Sequence, residues 1–481
     1  MHHPIAIVAA GVVLVFVQIA LALSGYSPMP GAEDALAGPD SYMRLLRVEV
    51  WANSEGWRDV GFPLSNAPYG ETLHWTRPFD VLLLVGARPL GWLIGFRDGL
   101  YWWGAMISPL LQFASLLALS WATRAHLSNR AFVFLALLFV TQPALAAVYS
   151  VARPDHHSLL AFLFVIGVAL FLRGLAGRLR CCGAAGVIGG LAIWVSIEGA
   201  APVVVALGVL GAAWMVRGEW YLRDVIWYLT GVALALSVAM PLEHGFAALA
   251  ALEYDRISIV HWGLIVVALT AAGLVERALR RLADPGWLAR MIGGAAILAA
   301  PLMLVAFVFP DFLGGPFVEV DPALGAIWLD HIDEVQTLNA GDFAIYLGPS
   351  VLAGAYLAYK IWRRRQQCYS NSLGLIYLAV LLAVFGSLAA YQVRWSIYPA
   401  IVALAPWVLL LRAMFQQKIE WRLSSRIRIP LRTPLFLAVL SAPVAGGAIL
   451  MSLGLGASAV AGLASQPKDG AACPWAQFAP T

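Results

Sequence analysis

The sequence predicts an all-α fold, a bundle of helices that crosses a membrane about 13 times. Hydrophobic residues make up 61% of the 481 residues and charged residues only 12%, and the mean hydropathy is +0.79. A typical soluble domain is about half apolar and about a quarter charged. The apolar residues also fall into stretches of about 20, the length that an α-helix needs to cross a bilayer. A soluble fold of this size could not bury so much apolar surface.

Thirteen apolar stretches are candidate spans. They lie near residues 5–23, 100–121, 131–149, 159–172, 184–197, 200–216, 225–240, 261–275, 291–309, 343–359, 373–391, 396–411 and 435–455. The first resembles a signal peptide, but no Lys or Arg precedes it, so we interpret it as a retained span. Residues 1–455 then form one transmembrane domain, with long loops at 24–99 and 310–342 and a short tail at 456–481.

The distribution of basic residues predicts the orientation of these spans. Most Arg and Lys fall in one set of short loops, around 124–130, 173–180, 217–223, 277–290, 360–365 and 412–432. Cytoplasmic loops carry such an excess of positive charge. The long loops then lie outside, and so does the C-terminus, while the N-terminus lies inside. The preference for Arg over Lys is typical of a GC-rich bacterial genome, so we expect a multi-pass protein of a bacterial inner membrane whose long loops face the periplasm.

Two polar patches on the predicted outer side follow early spans. Asp40, in Gly38–Tyr42, begins a helical pattern, and it could act as a catalytic carboxylate or only cap an interfacial helix. Asp155, His156 and His157 follow the third span. A carboxylate and two imidazoles can bind a divalent metal, or act as a general base and its partner. The alternative is a helix cap beside two interfacial histidines.

Two further patches lie late in the chain. Glu334 belongs to Asp330–Gln336, where three acids fall within five residues; they could bind a metal or a substrate, or form a solvated helix face. Arg394 lies between two apolar runs. Its planar guanidinium can hold a phosphate through two charge-assisted hydrogen bonds, or it could simply extend to the lipid headgroups.

No Walker loop, glycine-rich dinucleotide motif or zinc-type cysteine spacing occurs in the sequence. The sequence therefore offers no nucleotide site to drive a reaction. We infer that any substrate reaches the predicted outer face already activated.

The order of the four patches resembles the membrane domain of oligosaccharyltransferase catalytic subunits and related GT-C glycosyltransferases. That family has an Asp-x-Tyr after span one, an acidic loop after span three, a Glu after span nine and an Arg in an aromatic context near span eleven. Trp194–Gly199 is also similar to an aromatic-glycine segment of the family. The family's membrane region has thirteen spans, with its N-terminus inside. The resemblance covers residues 1–455 as topology and is specific only at short patches.

The resemblance implies a GT-C-type fold and a set of site residues. Asp40, Asp155 and Glu334 would be catalytic, and Asp155, His156, His157 and Glu334 would bind a divalent metal, Mg²⁺ or Mn²⁺. The two histidines depart from the acidic pair that is usual in the family, which leaves the identity of the metal open.

The resemblance also implies partners and a reaction. Arg394 would bind the phosphate of a lipid-linked sugar donor. The sugar would pass from a polyprenyl-phosphate carrier in the membrane to a glycan, lipid or protein acceptor at the outer face; no nucleic-acid partner is expected. The family's Trp-Trp-Asp signature is absent, and the tail is only about 25 residues long. We therefore expect transfer of one sugar or a small unit rather than N-glycosylation of protein.

Two alternatives remain open. One is a transporter or flippase of a lipid-linked glycan, and the other is an assembly or polymerase-type membrane protein without this activity. A transporter is expected to carry charges at mid-membrane and inverted repeats. The charges here cluster in loops and no repeat is evident, which favours the glycosyltransferase.

Overall fold

The computed structural model describes most of the chain. The described residues are 2–25, 27–31, 35–54, 56–57, 61–65, 67–125, 127–218, 220–282, 285–315, 332–364, 373–416, 420–422 and 428–430, with four single or paired positions at 441, 445–446 and 449. The predicted tail at 456–481 lies outside the described residues, and so does the predicted span at 435–455 except for those four positions.

Helices dominate the described residues, which confirms the predicted fold class. The α-helices are α1 (Pro4–Leu23), α2 (Pro39–Ala52), α3 (Arg77–Ile94), α4 (Phe96–Thr123), α5 (Asn129–Thr141), α6 (Pro143–Val148), α7 (His156–Leu175), α8 (Leu179–Val195), α9 (Ala200–Arg217), α10 (Trp220–His244), α11 (Ile259–Leu279), α12 (Trp287–Val308), α13 (Gly348–Arg364), α14 (Leu373–Tyr391) and α15 (Ile397–Gln416). A short antiparallel hairpin pairs β1 (Glu420–Arg422) with β2 (Arg428–Pro430).

Nine helical segments in the described part are long and apolar enough to cross a membrane. They are Pro4–Leu23, Phe96–Thr123, His156–Leu175, Ile197–Arg217, Tyr221–His244, Ile259–Leu279, Trp287–Val308, Leu373–Tyr391 and Val393–Ala413. Each matches a predicted span. The predicted spans at 131–149, 184–197 and 343–359 correspond to shorter or interrupted helices instead.

Local chemistry explains these interruptions. The predicted helix at 131–149 is divided at Gln142, which is extended (φ −67°, ψ 128°), because the proline that follows disfavours the helical conformation in the residue before it. Pro143 then begins α6, where its missing N–H costs nothing. Ser196 is likewise extended and ends α8, and its hydroxyl accepts a hydrogen bond from Glu198 N–H at 3.4 Å. Ahead of α13, residues Phe343–Leu347 form a π-helical turn.

The helices belong to two compact units, each assembled from distant parts of the chain. Unit 1 contains Met1–Tyr42, Ala105–Ser158 and Pro322–Thr481, and unit 2 contains Met43–Gly104 and Leu159–Asp321. Within the described part of unit 1, α1 packs on α5, and α13, α14 and α15 pack on one another. The segments at 150–158 and 332–336, which carry predicted site residues, therefore belong to one unit.

Unit 2 contains a buried ionic cluster. The Asp80 carboxylate has no exposed surface, and it lies 3.4–3.5 Å from guanidinium nitrogens of Arg44, Arg47 and Arg77. The Arg44 guanidinium also stacks over the Trp75 ring, at 3.8 Å from its centroid. Because a buried charge is costly unless it is paired, this carboxylate ties α2 to the start of α3.

Glycines allow α8 and α10 of unit 2 to pack very closely. A Cβ atom added at Gly186 would meet the Tyr228 carbonyl oxygen at 2.0 Å, and one added at Gly231 would meet the Gly183 carbonyl oxygen at 2.1 Å. Small residues bring helix backbones together in this way inside membranes, where lipid tails weaken the hydrophobic drive for helices to associate.

We expect Gly186→Ala to destabilise the protein, because the added methyl group has to push two backbones apart. Overpacking of this kind costs about 1–3 kcal/mol, and the loss is measurable as a lower melting temperature in detergent. Gly208→Ala is the matched control, since nothing lies within 4 Å of a Cβ at that position of α9. Equal melting temperatures for the two variants would contradict the close contact of α8 with α10.

Candidate functional site

A carboxylate with two imidazoles forms the centre of the site. Asp155 immediately precedes α7, and its Oδ1 accepts a hydrogen bond from His157 N–H at 3.3 Å. Nδ1 of His156 lies 2.9 Å from Asp155 Oδ1, and Nδ1 of His157 lies 2.9 Å from Oδ2. The helix-cap interpretation and the functional interpretation are therefore compatible, because the same carboxylate contacts the helix backbone and both rings.

Electrostatics keep this carboxylate ionised. Burial by itself would raise the pKa of Asp155, but the positive charge of His157 and hydrogen bonds from both imidazoles outweigh it. The pKa of Asp155 consequently lies well below its usual range. The centre therefore presents a negative carboxylate between two imidazole rings.

Arg153 connects this centre to a distant segment. One of its nitrogens, Nη2, lies 3.4 Å from Asp155 Oδ2 and 3.2 Å from Glu334 Oε1. Glu334 belongs to the 3-10 turn Asp333–Val335. The side chains of Arg153, Asp155 and Glu334 are 10%, 13% and 27% exposed, which shields the ion pairs from bulk water. Arg153 thus places two of the predicted carboxylates beside each other.

Arg394 lies in the same part of unit 1. Its Nε donates to Gln392 Oε1 at 3.2 Å, and its guanidinium lies 5.8 Å from the centroid of the Trp395 ring. The Val393 N–H donates to the Gln336 carbonyl at 3.1 Å, which joins the Arg394 segment to the Glu334 segment. Both side-chain contacts are to sequence neighbours, so they fit a phosphate ligand and an arginine that extends to the lipid headgroups alike, and the phosphate role stays a prediction.

These side chains line one cleft. Arg153, His157, Glu334, Tyr346 and Arg394 contribute to its lining, and its remaining walls come from α6, α15 and the turn before α15. The walls are mostly apolar. Basic, acidic and apolar residues therefore line the same small cleft.

Asp40 lies exposed in the first turn of α2. Ala37 N–H donates to the Ala152 carbonyl at 2.8 Å. Asp40 follows Ala37 by three residues, and Asp155 follows Ala152 by three. The bond thus brings together the two backbone segments that carry these carboxylates, while convergence of the side chains stays a prediction.

One group of side chains in the described residues could hold a metal ion. It consists of Asp155, His156 and His157, whose ligand atoms lie within 4.8 Å of one another. Glu334, a predicted fourth ligand, is outside this group and accepts from Arg153 instead. Asp330 and His331, from the same predicted patch, lie outside the described residues.

Comparison with solved structures gives the fold its name. An oligosaccharyltransferase, AglB from Archaeoglobus fulgidus, solved with an inhibitory peptide and a dolichol-phosphate, superimposes with a TM-score of 0.68 at 16% identity, over 96% of this chain and 56% of that one. An oligosaccharyltransferase of the same organism, solved with Zn and sulfate, gives a TM-score of 0.61 at 18% identity, over 96% of this chain and 54% of that one. A form tethered to an acceptor peptide gives 0.64 at 17% identity over 96% and 55%.

This chain has the GT-C fold. It spans little more than half the length of the oligosaccharyltransferase chains that it matches. No protein-family model matches its sequence, and no curated protein matches it either. The likeness is one of fold, and the roles of individual residues rest on the geometry of the site.

The GT-C fold brings in two side chains to which the sequence analysis gave no role. Arg153 lies two residues before Asp155, and its place beside two predicted carboxylates that are 179 positions apart appears only in the fold. Tyr346 reaches the cleft from the π-helical turn Phe343–Leu347. Such turns occur often at functional sites, but no sequence pattern announces them.

We expect Arg153→Gln to loosen the Glu334 segment, since a charge-assisted contact contributes about 1.5–3 kcal/mol. Hydrogen–deuterium exchange of residues 332–336 should become about tenfold faster or more. Arg280→Gln is the control, because Arg280 is 61% exposed and pairs with Glu276 on the surface of α11 and its C-terminal end. Unchanged exchange at 332–336 in Arg153→Gln would mean that the ion pair does not hold the segment.

Proposed function

We propose that this protein is a membrane glycosyltransferase that moves a sugar from a polyprenyl-phosphate donor to an acceptor. We place the reaction at the periplasmic face of a bacterial inner membrane, where the excess of basic residues in the other loops would put the site. The acceptor would be a glycan, a lipid or a protein.

The cleft in unit 1 carries this proposal. Arg394 supplies a guanidinium suited to a phosphate, and the apolar wall suits the first isoprene units of its lipid. The Asp155 group lies at the same cleft through His157. As the sugar leaves, negative charge grows on the phosphate, and fixed positive groups in a partly dry site stabilise such charge strongly.

The structural neighbours support this choice of ligands. One was solved with a dolichol-phosphate and an inhibitory peptide, one with Zn and sulfate, and one with a tethered acceptor peptide. A lipid phosphate is thus a ligand of a protein with this fold. This chain covers little more than half of those chains. The proposed donor therefore rests mainly on the residues that line the cleft.

The ligand set of Asp155, His156 and His157 fits a divalent metal. Imidazole nitrogens favour transition metals, whereas Mg²⁺ prefers oxygen ligands and keeps several waters. Of the two ions implied by the resemblance, Mn²⁺ therefore suits these residues better. When bound, such an ion would neutralise charge on the donor phosphate.

The other groups would bind and orient the substrates. Arg394 would hold the donor phosphate, and Arg153 would keep Glu334 next to Asp155. Glu334 would then be placed to contact the acceptor or the metal. Asp40 is exposed on its helix and is our candidate for the group that accepts the proton of the acceptor hydroxyl or amide.

The proposal predicts transfer of labelled sugar from a polyprenyl-phosphate donor by the purified protein. Asp155→Asn should lower turnover about 10²–10³-fold, as does loss of one electrostatic stabiliser elsewhere, and a strong chelator should act similarly. Asp311→Asn, an exposed carboxylate in the turn after α12, is the control and should keep full activity.

Two results would count against this assignment. Binding of the donor without any transfer to glycan, lipid or peptide acceptors would favour the transporter or the polymerase-type protein. Full activity in chelator would remove the metal from the mechanism.

Arg394 gives a separate test of the donor. Arg394→Ala should lose about 1.5–3 kcal/mol of donor binding, or roughly one to two decades of affinity. Arg394→Lys should restore only part of it, because Lys keeps the charge but loses the two-pronged geometry. Titration of a short polyprenyl phosphate measures both affinities.

Arg412→Ala is the matched control for this titration. Arg412 is exposed near the other end of α15, so its loss should leave donor affinity unchanged. If all four proteins bind the phosphate equally well, Arg394 does not contact the donor, and the choice of a lipid phosphate loses its main support.

A further inference from the structure

A single polar residue lies in the first span. The 20 residues of α1 are apolar apart from Gln18, and the Gln18 side chain is buried, at 8% exposure. An amide in an apolar environment costs about 2–7 kcal/mol unless its hydrogen bonds are made. The Gln18 amide therefore needs hydrogen-bond partners inside the protein. The identity of these partners indicates which part of the structure Gln18 supports.

The partners of Gln18 belong to the segment that leads into the site. Gln18 Oε1 accepts from Val151 N–H at 3.0 Å, and Nε2 donates to the Tyr149 carbonyl at 3.0 Å and to Gln112 Oε1 at 2.9 Å. One side chain from α1 thus holds both a donor and an acceptor of the backbone at 149–151. All four residues belong to unit 1.

The next residue, Ala152, has an unusual backbone. Its φ is +60°, the only positive φ outside glycine in the described residues. This conformation costs an alanine about 1–2 kcal/mol and persists only where the surroundings enforce it. Ala152 N–H donates to the Ala105 carbonyl at 2.8 Å, and the Ala152 carbonyl accepts from Ala37 N–H at 2.8 Å. The chain changes direction here, immediately before Arg153.

The far side of the bend is held in the same way. The Ser108 hydroxyl donates to the Arg153 carbonyl, and the Ser158 hydroxyl donates to the Asp155 carbonyl at 2.7 Å. Backbone groups on both sides of Ala152 are therefore bonded to buried parts of unit 1. Without Gln18, the backbone of Tyr149 and Val151 loses these two hydrogen bonds. The strained conformation of Ala152 can then relax.

We propose that Gln18 is a positioning residue: through the backbone at 149–151 it holds the bend at Ala152 that presents Arg153 and Asp155 to the site. The proposal rests on the proposed function only where it concerns metal binding. The hydrogen bonds of Gln18 go to Gln112, Tyr149 and Val151, and not to the proposed reacting groups.

The direct test is local hydrogen exchange in Gln18→Leu. Full-length wild type and variant are compared in detergent, and exchange at residues 149–153 should become at least tenfold faster in the variant. The control is Ser120→Ala in α4, which removes a buried hydrogen bond that His2 N–H, just before α1, donates to Ser120 Oγ at 2.8 Å. Ser120→Ala should lower the melting temperature without changing exchange at 149–153.

A second measurement reports on the metal group. Titration of Mn²⁺, followed by electron paramagnetic resonance, should give an affinity 10–100-fold weaker in Gln18→Leu, which is the usual effect of losing a partner that orients metal ligands. Ser120→Ala should bind Mn²⁺ as wild type does. A role limited to stability would lower the melting temperature in both variants and leave both affinities unchanged.

The outcomes separate this proposal from the proposed function. If wild type binds no Mn²⁺, the metal assignment is wrong, while the exchange data still decide the role of Gln18. Wild-type exchange at 149–153 in Gln18→Leu would overturn the proposal. If Gln18→Leu does not fold, the same measurements are made on Gln18→Met, whose side chain is closer to glutamine in shape. Failure of both variants to fold would also overturn it, because Gln18 would then support the whole fold and not this bend.

Discussion

The ion pair between Arg153 and Glu334 is the contact on which the candidate site depends. It joins residues that lie 181 positions apart, and the same guanidinium also reaches Asp155. A partly buried arginine needs carboxylate partners, since a buried charge without one is very costly. Arg153 therefore links two segments that are distant in sequence, and both segments line the cleft together with Arg394.

Near this contact, the backbone of unit 1 at 149–158 is held by hydrogen bonds from side chains. The segment at 149–158 is irregular, so its backbone groups cannot all bond within a helix. In a membrane protein such groups have to find partners inside the protein, because lipid offers none. Side chains of Gln18, Ser108 and Ser158 supply these partners. The irregular backbone at 149–158 is thus held by side chains of its own unit.

Unit 2 is stabilised by close helix packing and by a buried ionic cluster. Its helices α8 and α10 approach so closely that glycine is needed at the contact, and three of its arginines surround the buried carboxylate of Asp80. Both features stabilise helices that have little hydrophobic drive to associate in lipid. The contrast between the units fits a division in which the described part of unit 1 holds the cleft and the described part of unit 2 is packed for stability.

The sequence by itself determined the class of fold, the position of nine spans and the patches that contain Asp155, Glu334 and Arg394. Hydropathy and charge are properties of short stretches, so they can be recognised along the chain without knowing what packs on what. The break at Gln142–Pro143 could also have been recognised, because proline restricts the residue before it. Only the tertiary structure decided that Arg153 bridges two carboxylates and that Gln18 anchors the bend at Ala152. Those contacts depend on which helices become neighbours, and that is settled by the packing of the whole chain.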